Sequence, residues 1–394
     1  MLGQLISKSG DTVFMIGLLW LILDRTKSPK LMGVVLFFTY LPQFALGLIA
    51  GSIVDQFDRR KIMIICDIVR GVVLFIFCIM IELKIFSIYL VIILTFLLAS
   101  ASVFFGPASQ AFIPNIVQKD LLVSANAVSS GIDQLCKIIG NAIAGIIIAT
   151  IGVYPLFMFD GSSFLFSALM LYLIKYIVKN NKFEDVDNKI SISKIVSDSK
   201  MGINFTLKDK FIKTFIILLV ISNISYSIVT TLTPVFSERV LKAGPKGYGY
   251  LEAVLSVGML LGISFIGSIK VKKVGYMFIF GIIFSGVSLI LVGLNSKLII
   301  VMFLYLLFGL SDAFTAPMFA YFRLYVKDEI RGRVFSVFNL IVLSAVPISM
   351  ATIGVLMEYF GTKNFYICCG VVLMMSSILA CFSRNFINAS LENV

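Results

Sequence analysis

Four charged side chains fall where an apolar chain accommodates them least. Asp11, Asp133, Lys137 and Asp312 each lie well inside a long apolar run. A charge at the centre of a membrane span costs about 2.5–3.5 kcal/mol on insertion scales, so each needs a physical reason. Carboxylates in such places are suited to proton chemistry. Desolvation favours the protonated form and a nearby cation the ionised one, so a change of surroundings lets the group take up a proton, release it, or trade it for a cationic molecule. Structural pairing is the competing explanation. Asp133 and Lys137 are four residues apart, which places them on one helix face as a self-neutralising pair. Asp11 lies among Ser7, Ser9 and Thr12, which could satisfy it locally, whereas Asp312, in GLSDAF, has no opposite charge close in sequence. Asp160, Glu252 and Glu358 are expected nearer span ends, within reach of water, and are set aside.

Other chemistries find little support. The chain contains no histidine, so the commonest acid–base residue and a key zinc ligand are both missing. Its six cysteines (66, 78, 136, 368, 369 and 381) lie inside apolar runs without metal-ligand spacing and read as small packing residues. No GxxxxGK[ST] loop is present to hold ATP. An integral membrane enzyme would need a convergent set of catalytic groups, and a channel would need rings of charge around a shared pore; neither pattern appears.

The elements that must position the four charges are membrane helices. The chain has 394 residues, 59% apolar and only 14% charged, with 36 Phe. That is too apolar for an ordinary soluble domain. Apolar windows long enough to cross a bilayer recur twelve times, beginning with 2–23 and including 123–150, 156–176, 249–269 and 298–322. The first span starts at residue 2 without a small-residue cleavage site and reads as a retained helix. The net charge of +12 is explained by Lys and Arg concentrated on the side that carries the termini, which predicts cytoplasmic N- and C-termini and does not call for nucleic acid. Trp20 falls near the outer end of the first span, as an interfacial aromatic should.

Residues 177–212 form the one long polar stretch, a plain linker or a short surface helix bearing Ile195, Met201, Phe205 and Leu207. It divides the chain into an N-terminal six-helix bundle (1–176) and a C-terminal one (213–394). A shift of 209 positions matches Gly145 with Gly354, Gly152 with Gly361 and Gly161 with Gly370. The fold class expected is therefore an all-α membrane protein of twelve transmembrane helices in two pseudo-symmetric six-helix bundles. Two similar bundles suit a transporter that rocks about a central site, although a structural membrane protein could also be duplicated.

The stretch GSIVDQFDRRK (51–61) gathers five charges in eleven residues between two apolar runs. Gly51, Asp55, Arg59 and Arg60 at these spacings resemble the loop between the second and third helices of the major facilitator superfamily. LGQLISKSGD (2–11), FFGPASQAFIPNIV with SANAV (104–128) and KDEIRGRVFSVFN (327–339) resemble its macrolide-efflux-like, drug:proton antiporter branch. Gln56, Asp58 and Asn141 depart from the superfamily pattern, where arginine, glycine and proline are usual.

The resemblance implies proton-coupled export of amphipathic small molecules, macrolide-like or cationic, by a monomer in the plasma membrane. It implies no cofactor, the proton gradient being the energy source. An endogenous metabolite, siderophore or lipid is the alternative cargo, with Lys137 available to attract an anionic group. It also implies a conformational gate. Gly47 and Gly51 would let the second helix approach the eleventh, and Asp55 would face Arg331, Gly332 and Arg333 at a helix N-terminus. Arg59 and Arg60 would take part, unless they are only inside-facing topology charges. Asp67 and Arg70, three apart, extend that network or simply neutralise each other. By the same logic Gly258 with Gly262, and Gly140 with Ala144, would bring the eighth helix to the fifth.

Overall fold

The computed structural model describes residues 2–116, 122–173, 205–206 and 208–390. Twelve helices among them are long and apolar enough to cross a membrane. The first six are α1 (Leu2–Thr26), α2 (Pro29–Gln56), α3 (Arg59–Glu82), α4 (Ile88–Ile116), α5 (Leu122–Ile151) and α6 (Tyr154–Leu173). The second six begin with α7 (Lys210–Arg239), α8 (Gly244–Ser268) and α9 (Val274–Leu294). The tenth, α10, runs Leu298–Asp312, tightens through a 3-10 turn at Ala313–Thr315 and continues as Ala316–Tyr325. Then follow α11 (Asp328–Phe360), α12 (Thr362–Cys381) and the single turn α13 (Arg384–Ile387). The surface helix considered within 177–212 lies largely outside the described residues.

Local chemistry sets several helix starts. Ser28 caps α2 by accepting from the Leu31 N–H, with Pro29 at the first helical position. Asp58 caps α3, its carboxylate accepting from the Arg60 and Lys61 N–H groups at 2.9 and 3.3 Å. The aspartate that departs from the superfamily's usual glycine thus serves as a helix cap. Asp209 caps α7 through the Ile212 N–H and also accepts from the Tyr325 hydroxyl, fastening α7 to the far end of α10.

The two halves follow one plan. Helix α1 packs on α5 and α6, α3 on α4 and α6, and α2 on α4; adding six to each label gives the contacts of the second half. The turns repeat as well. Gly152 between α5 and α6 and Gly361 between α11 and α12 both have positive φ (86° and 74°), and Lys27 and Lys242 both sit at φ 52° after α1 and α7. Left-handed backbone is strained for lysine and free for glycine.

The bundles meet along two seams, α2 with α11 and α5 with α8, and these are symmetry mates too. At one end the seams are backbone-tight. A Cβ on Gly354 would lie 2.7 Å from Lys30 Cα and 2.8 Å from the Pro29 carbonyl oxygen, and one on Gly145 would lie 2.9 Å from Gly249 Cα. Arg239 Nη2 donates to the Lys27 carbonyl at 2.7 Å, tying the bundles together at this end. At the other end a Cβ on Gly51, Gly131 or Gly267 would meet nothing within 4 Å among the described residues. Among the described residues the bundles are closed where α1 ends and α2 begins, and Gly51 and Gly267 stand clear of the other bundle at the end where α2 turns into α3.

This arrangement corrects two packing expectations. Gly258 and Gly262 face Leu306, Leu310 and Ala313 of α10 and bring α8 against its own bundle. Gly140 faces Thr12 and Val13 of α1. The α5–α8 seam is made instead by Gly145 and Gly249, where, among the described residues, the two backbones come closest.

Candidate functional site

Asp11, ten residues into α1, points into a cavity of ≈560 Å³. Phe14 and Met15 of α1, Thr39, Tyr40 and Gln43 of α2, and Thr95 and Ser102 of α4 share the wall with it. Val346 of α11 adds the other bundle to the lining. A volume of this size admits a small organic molecule. The lining mixes apolar surface with a few polar groups, as such a site requires.

Asp312 occupies a different place. It ends the first part of α10 and borders a smaller recess inside the second bundle, with Ser222 and Tyr226 of α7, Ser285 of α9 and Thr315 around it. Its side chain remains accessible. Tyr226 links the regions: its polar neighbours are Asp312, Glu252 of α8 and Tyr40 across the seam.

A span starting near residue 249 puts Glu252 close to its end. The helix in fact begins at Gly244, so Glu252 lies roughly 12 Å in, at 1.5 Å per residue. Its Oε1 is buried without a hydrogen-bond partner among the described residues, close to the Thr233 hydroxyl. Thr233 in turn bonds Tyr305, and Tyr305 bonds Tyr366. Gly244–Pro245 was the available signal, since proline favours the first turn of a helix.

Asp133 does not pair with Lys137. It meets Lys8 of α1 at 2.5 Å, while Lys137 is exposed on α5 between Leu135 and Ile139, which are each 53% exposed. Residues four apart are neighbours on a helix, but α1 offers Asp133 a cation across the α1–α5 contact. The pair is only partly buried, its side chains 34% and 40% exposed although the Asp133 Oδ1 that faces Lys8 is covered, so it should add less stability than a fully buried pair. Lys8→Met, Asp133→Asn and the double variant are expected to show a coupling below about 1 kcal/mol in detergent unfolding. A coupling well above that would show the pair to be structurally essential.

The proposed gate residues divide into groups. Arg59 Nη1 donates to the Ala111 carbonyl at the end of α4, and Arg60 Nε to the Leu171 carbonyl at the end of α6, at 3.3 and 2.8 Å. Arg331 Nε donates to the Val326 carbonyl beside it. In this conformation all three therefore bind carbonyls within their own bundles. The side chains of Asp55 and Arg333 lie outside the described residues. Among the described residues an added Cβ on Gly47 would meet only Gln43 of its own helix, and one on Gly51 would meet nothing within 4 Å.

Asp67 and Arg70 are not at that end. Eight and eleven residues into α3, they are buried inside the bundle and form an ion pair. The Arg70 guanidinium is sandwiched between the rings of Phe105 (α4) and Phe164 (α6), its carbon 4.2 Å from each centroid. The α3 face carrying this pair turns towards α4 and α6, away from the α2–α11 seam. Asp160 of α6 is wholly buried beside it.

A family model described as "Transmembrane secretion effector" matches residues 2–390. The Staphyloferrin A transporter of Staphylococcus aureus is 25% identical over 71% of this chain and 70% of its own length. Macrolide efflux protein A of Streptococcus pyogenes is 22% identical over 74% and 71%. Among solved structures, a bacterial homologue of the human lysosomal transporter Spinster, captured inward-facing and occupied, superposes with a TM-score of 0.76 at 12% identity, covering 97% of this chain and 94% of that one. With twelve spans, two mirrored bundles and a family match along nearly its whole length, the chain belongs to the transmembrane secretion effector family of major facilitator superfamily transporters.

Proposed function

We propose that this transporter exports amphipathic small molecules, macrolide-like or cationic, in exchange for protons by alternating access. One observation carries the reading: a carboxylate, Asp11, stands on the wall of a cavity bounded by both bundles, which are shut at one end and apart at the other. Such a group meets cargo and protons in the same space. The macrolide efflux relatives supply the cargo class, and Asp312 with Tyr226 supplies a second acidic station. The open end is the cytoplasmic one, by the concentration of Lys and Arg there. On this reading the chain works as a monomer in the plasma membrane without a cofactor. Asp55 engages the start of α11 only when that end shuts.

A second cargo, an anionic metabolite such as a siderophore, is favoured by Lys137 being exposed instead of held by Asp133, and by the staphyloferrin relative. Everted vesicles separate the two. Gradient-driven uptake of ethidium or erythromycin is expected, lowered at least about 10-fold by Asp11→Asn and by Asp312→Asn. Uptake that survives collapse of the gradient would overturn proton coupling. Uptake of an anionic chelate alone would favour the second cargo.

A further inference from the structure

Among the described residues, the first bundle buries a charged cluster that the cavity reading leaves unused. Asp160 of α6 and Asp67 of α3 are both 0% exposed and Arg70 is 3% exposed. Asp11 of α1 joins the group, since the residue before it, Gly10, packs directly on the Asp160 carboxylate, and the charges of Asp11 and Arg70 both act on Asp160. Around Asp11 itself stand Arg70, Asp67 and Lys8, the last engaged with Asp133 of α5. The uncharged titratable neighbour is Cys66 of α3.

Charge arithmetic makes the cluster incomplete as drawn. Arg70 balances one carboxylate and is bonded to Asp67. Its two faces are covered by Phe105 and Phe164, so it approaches further carboxylates only edge-on. Asp160 receives a hydroxyl contact from Ser163 at 3.4 Å, and its second oxygen, Oδ2, has no partner among the described residues. Gly10 packs so closely on the Asp160 carboxylate that a Cβ at residue 10 would collide with it. An ionised carboxylate without partner or water costs many kcal/mol, and a buried group avoids that by binding a proton.

We infer that Asp160 is the buried proton-carrying group of this transporter, loaded and unloaded through Asp11, with Asp67–Arg70 as the fixed pair that holds it in place. A proton from hydronium in the cavity passes to the Asp11 carboxylate, leaving water. It then moves to the Asp160 carboxylate, restoring Asp11 as an anion on the cavity wall. Asp11 in that form attracts a cationic cargo, so cargo binding and proton storage occupy different residues. The inference rests on the exchange mechanism proposed above and adds to it where the proton is kept.

Two measurements test it separately from that mechanism. Infrared difference spectra of the purified protein carrying carboxyl-labelled aspartate, in an Asp312→Asn background, should show a protonated carboxyl band at neutral pH that Asp160→Asn removes. A native spectrum without any protonated aspartate, or a band untouched by Asp160→Asn, would overturn the inference whatever the transport result. In proteoliposomes loaded with tetraphenylphosphonium, the ratio of gradient-driven transport to exchange should fall at least about 10-fold in Asp160→Asn. An unchanged ratio would also overturn it. Native protein that exchanges tetraphenylphosphonium but ignores the gradient would instead sink the proposed function, leaving the infrared result to judge the proton site. If Asp160→Asn does not reach the membrane, isotope-edited spectra of the Asp11→Asn and Asp67→Asn variants decide by elimination: the band should persist in both.

Discussion

Arg70→Met is expected to destabilise the first bundle by about 3–5 kcal/mol, the usual cost of removing one partner from a buried ion pair. The cause is what remains. Asp67 is wholly buried with only the Ser167 hydroxyl beside it, so losing the guanidinium leaves a charge with no balancing cation. The two aromatic faces lose their cation as well. Lysine should restore only part of the loss, because an ammonium is not a flat plate that fills a slot between two rings. Asp67→Asn combined with Arg70→Met should be far milder than Arg70→Met alone, since no unpaired charge is left behind. Unfolding of the purified variants in one detergent would check this series. Arg70→Met melting with the native protein would show that the cluster contributes no stability.

This cluster also shows where sequence reasoning stopped. The i,i+3 spacing of Asp67 and Arg70 revealed the pair correctly as a pair, because helix geometry alone brings such residues together. It did not reveal which way the pair faces, because that depends on how α3 rolls against α4 and α6. Asp160 was set aside for lying early in its span, yet depth along a helix is not the same as burial. Gly10 lets α1 approach so closely that the carboxylate keeps no accessible surface. Glu252 was lost to a helix start displaced by five residues. By contrast, the twelve spans and the duplication were legible, since both rest on long apolar windows and a repeat of glycines. The repeat had a physical meaning that only the packing disclosed. Gly145 and Gly354, aligned by the 209-residue shift, are the backbone contacts of the two symmetry-related seams.

Those contacts lead to the second large effect. Gly145→Leu is expected to drive the transporter out of the conformation described here, by about 1–3 kcal/mol, or roughly 5- to 150-fold in population. The neighbours of the added side chain would be backbone atoms, Gly249 Cα at 2.9 Å and the Pro245 carbonyl oxygen at 2.6 Å. Backbone cannot rotate aside as a side chain does, so α5 and α8 must part at the shut end. Gly51→Leu should act with the opposite sign. No described residue lies within 4 Å of its Cβ position, so it leaves this conformation unstrained and obstructs the state in which α2 and α11 meet at the open end. A cysteine at Thr39 on the cavity wall, in a background lacking the native cysteines, reports both shifts. In sealed vesicles an impermeant thiol reagent should reach it mainly from the side of the α2–α3 turn in the native protein, and more so in Gly51→Leu. In Gly145→Leu it should react from the opposite side. Equal labelling of all three proteins from the same side would mean that the glycine seams merely pack the bundles together and do not control which end opens.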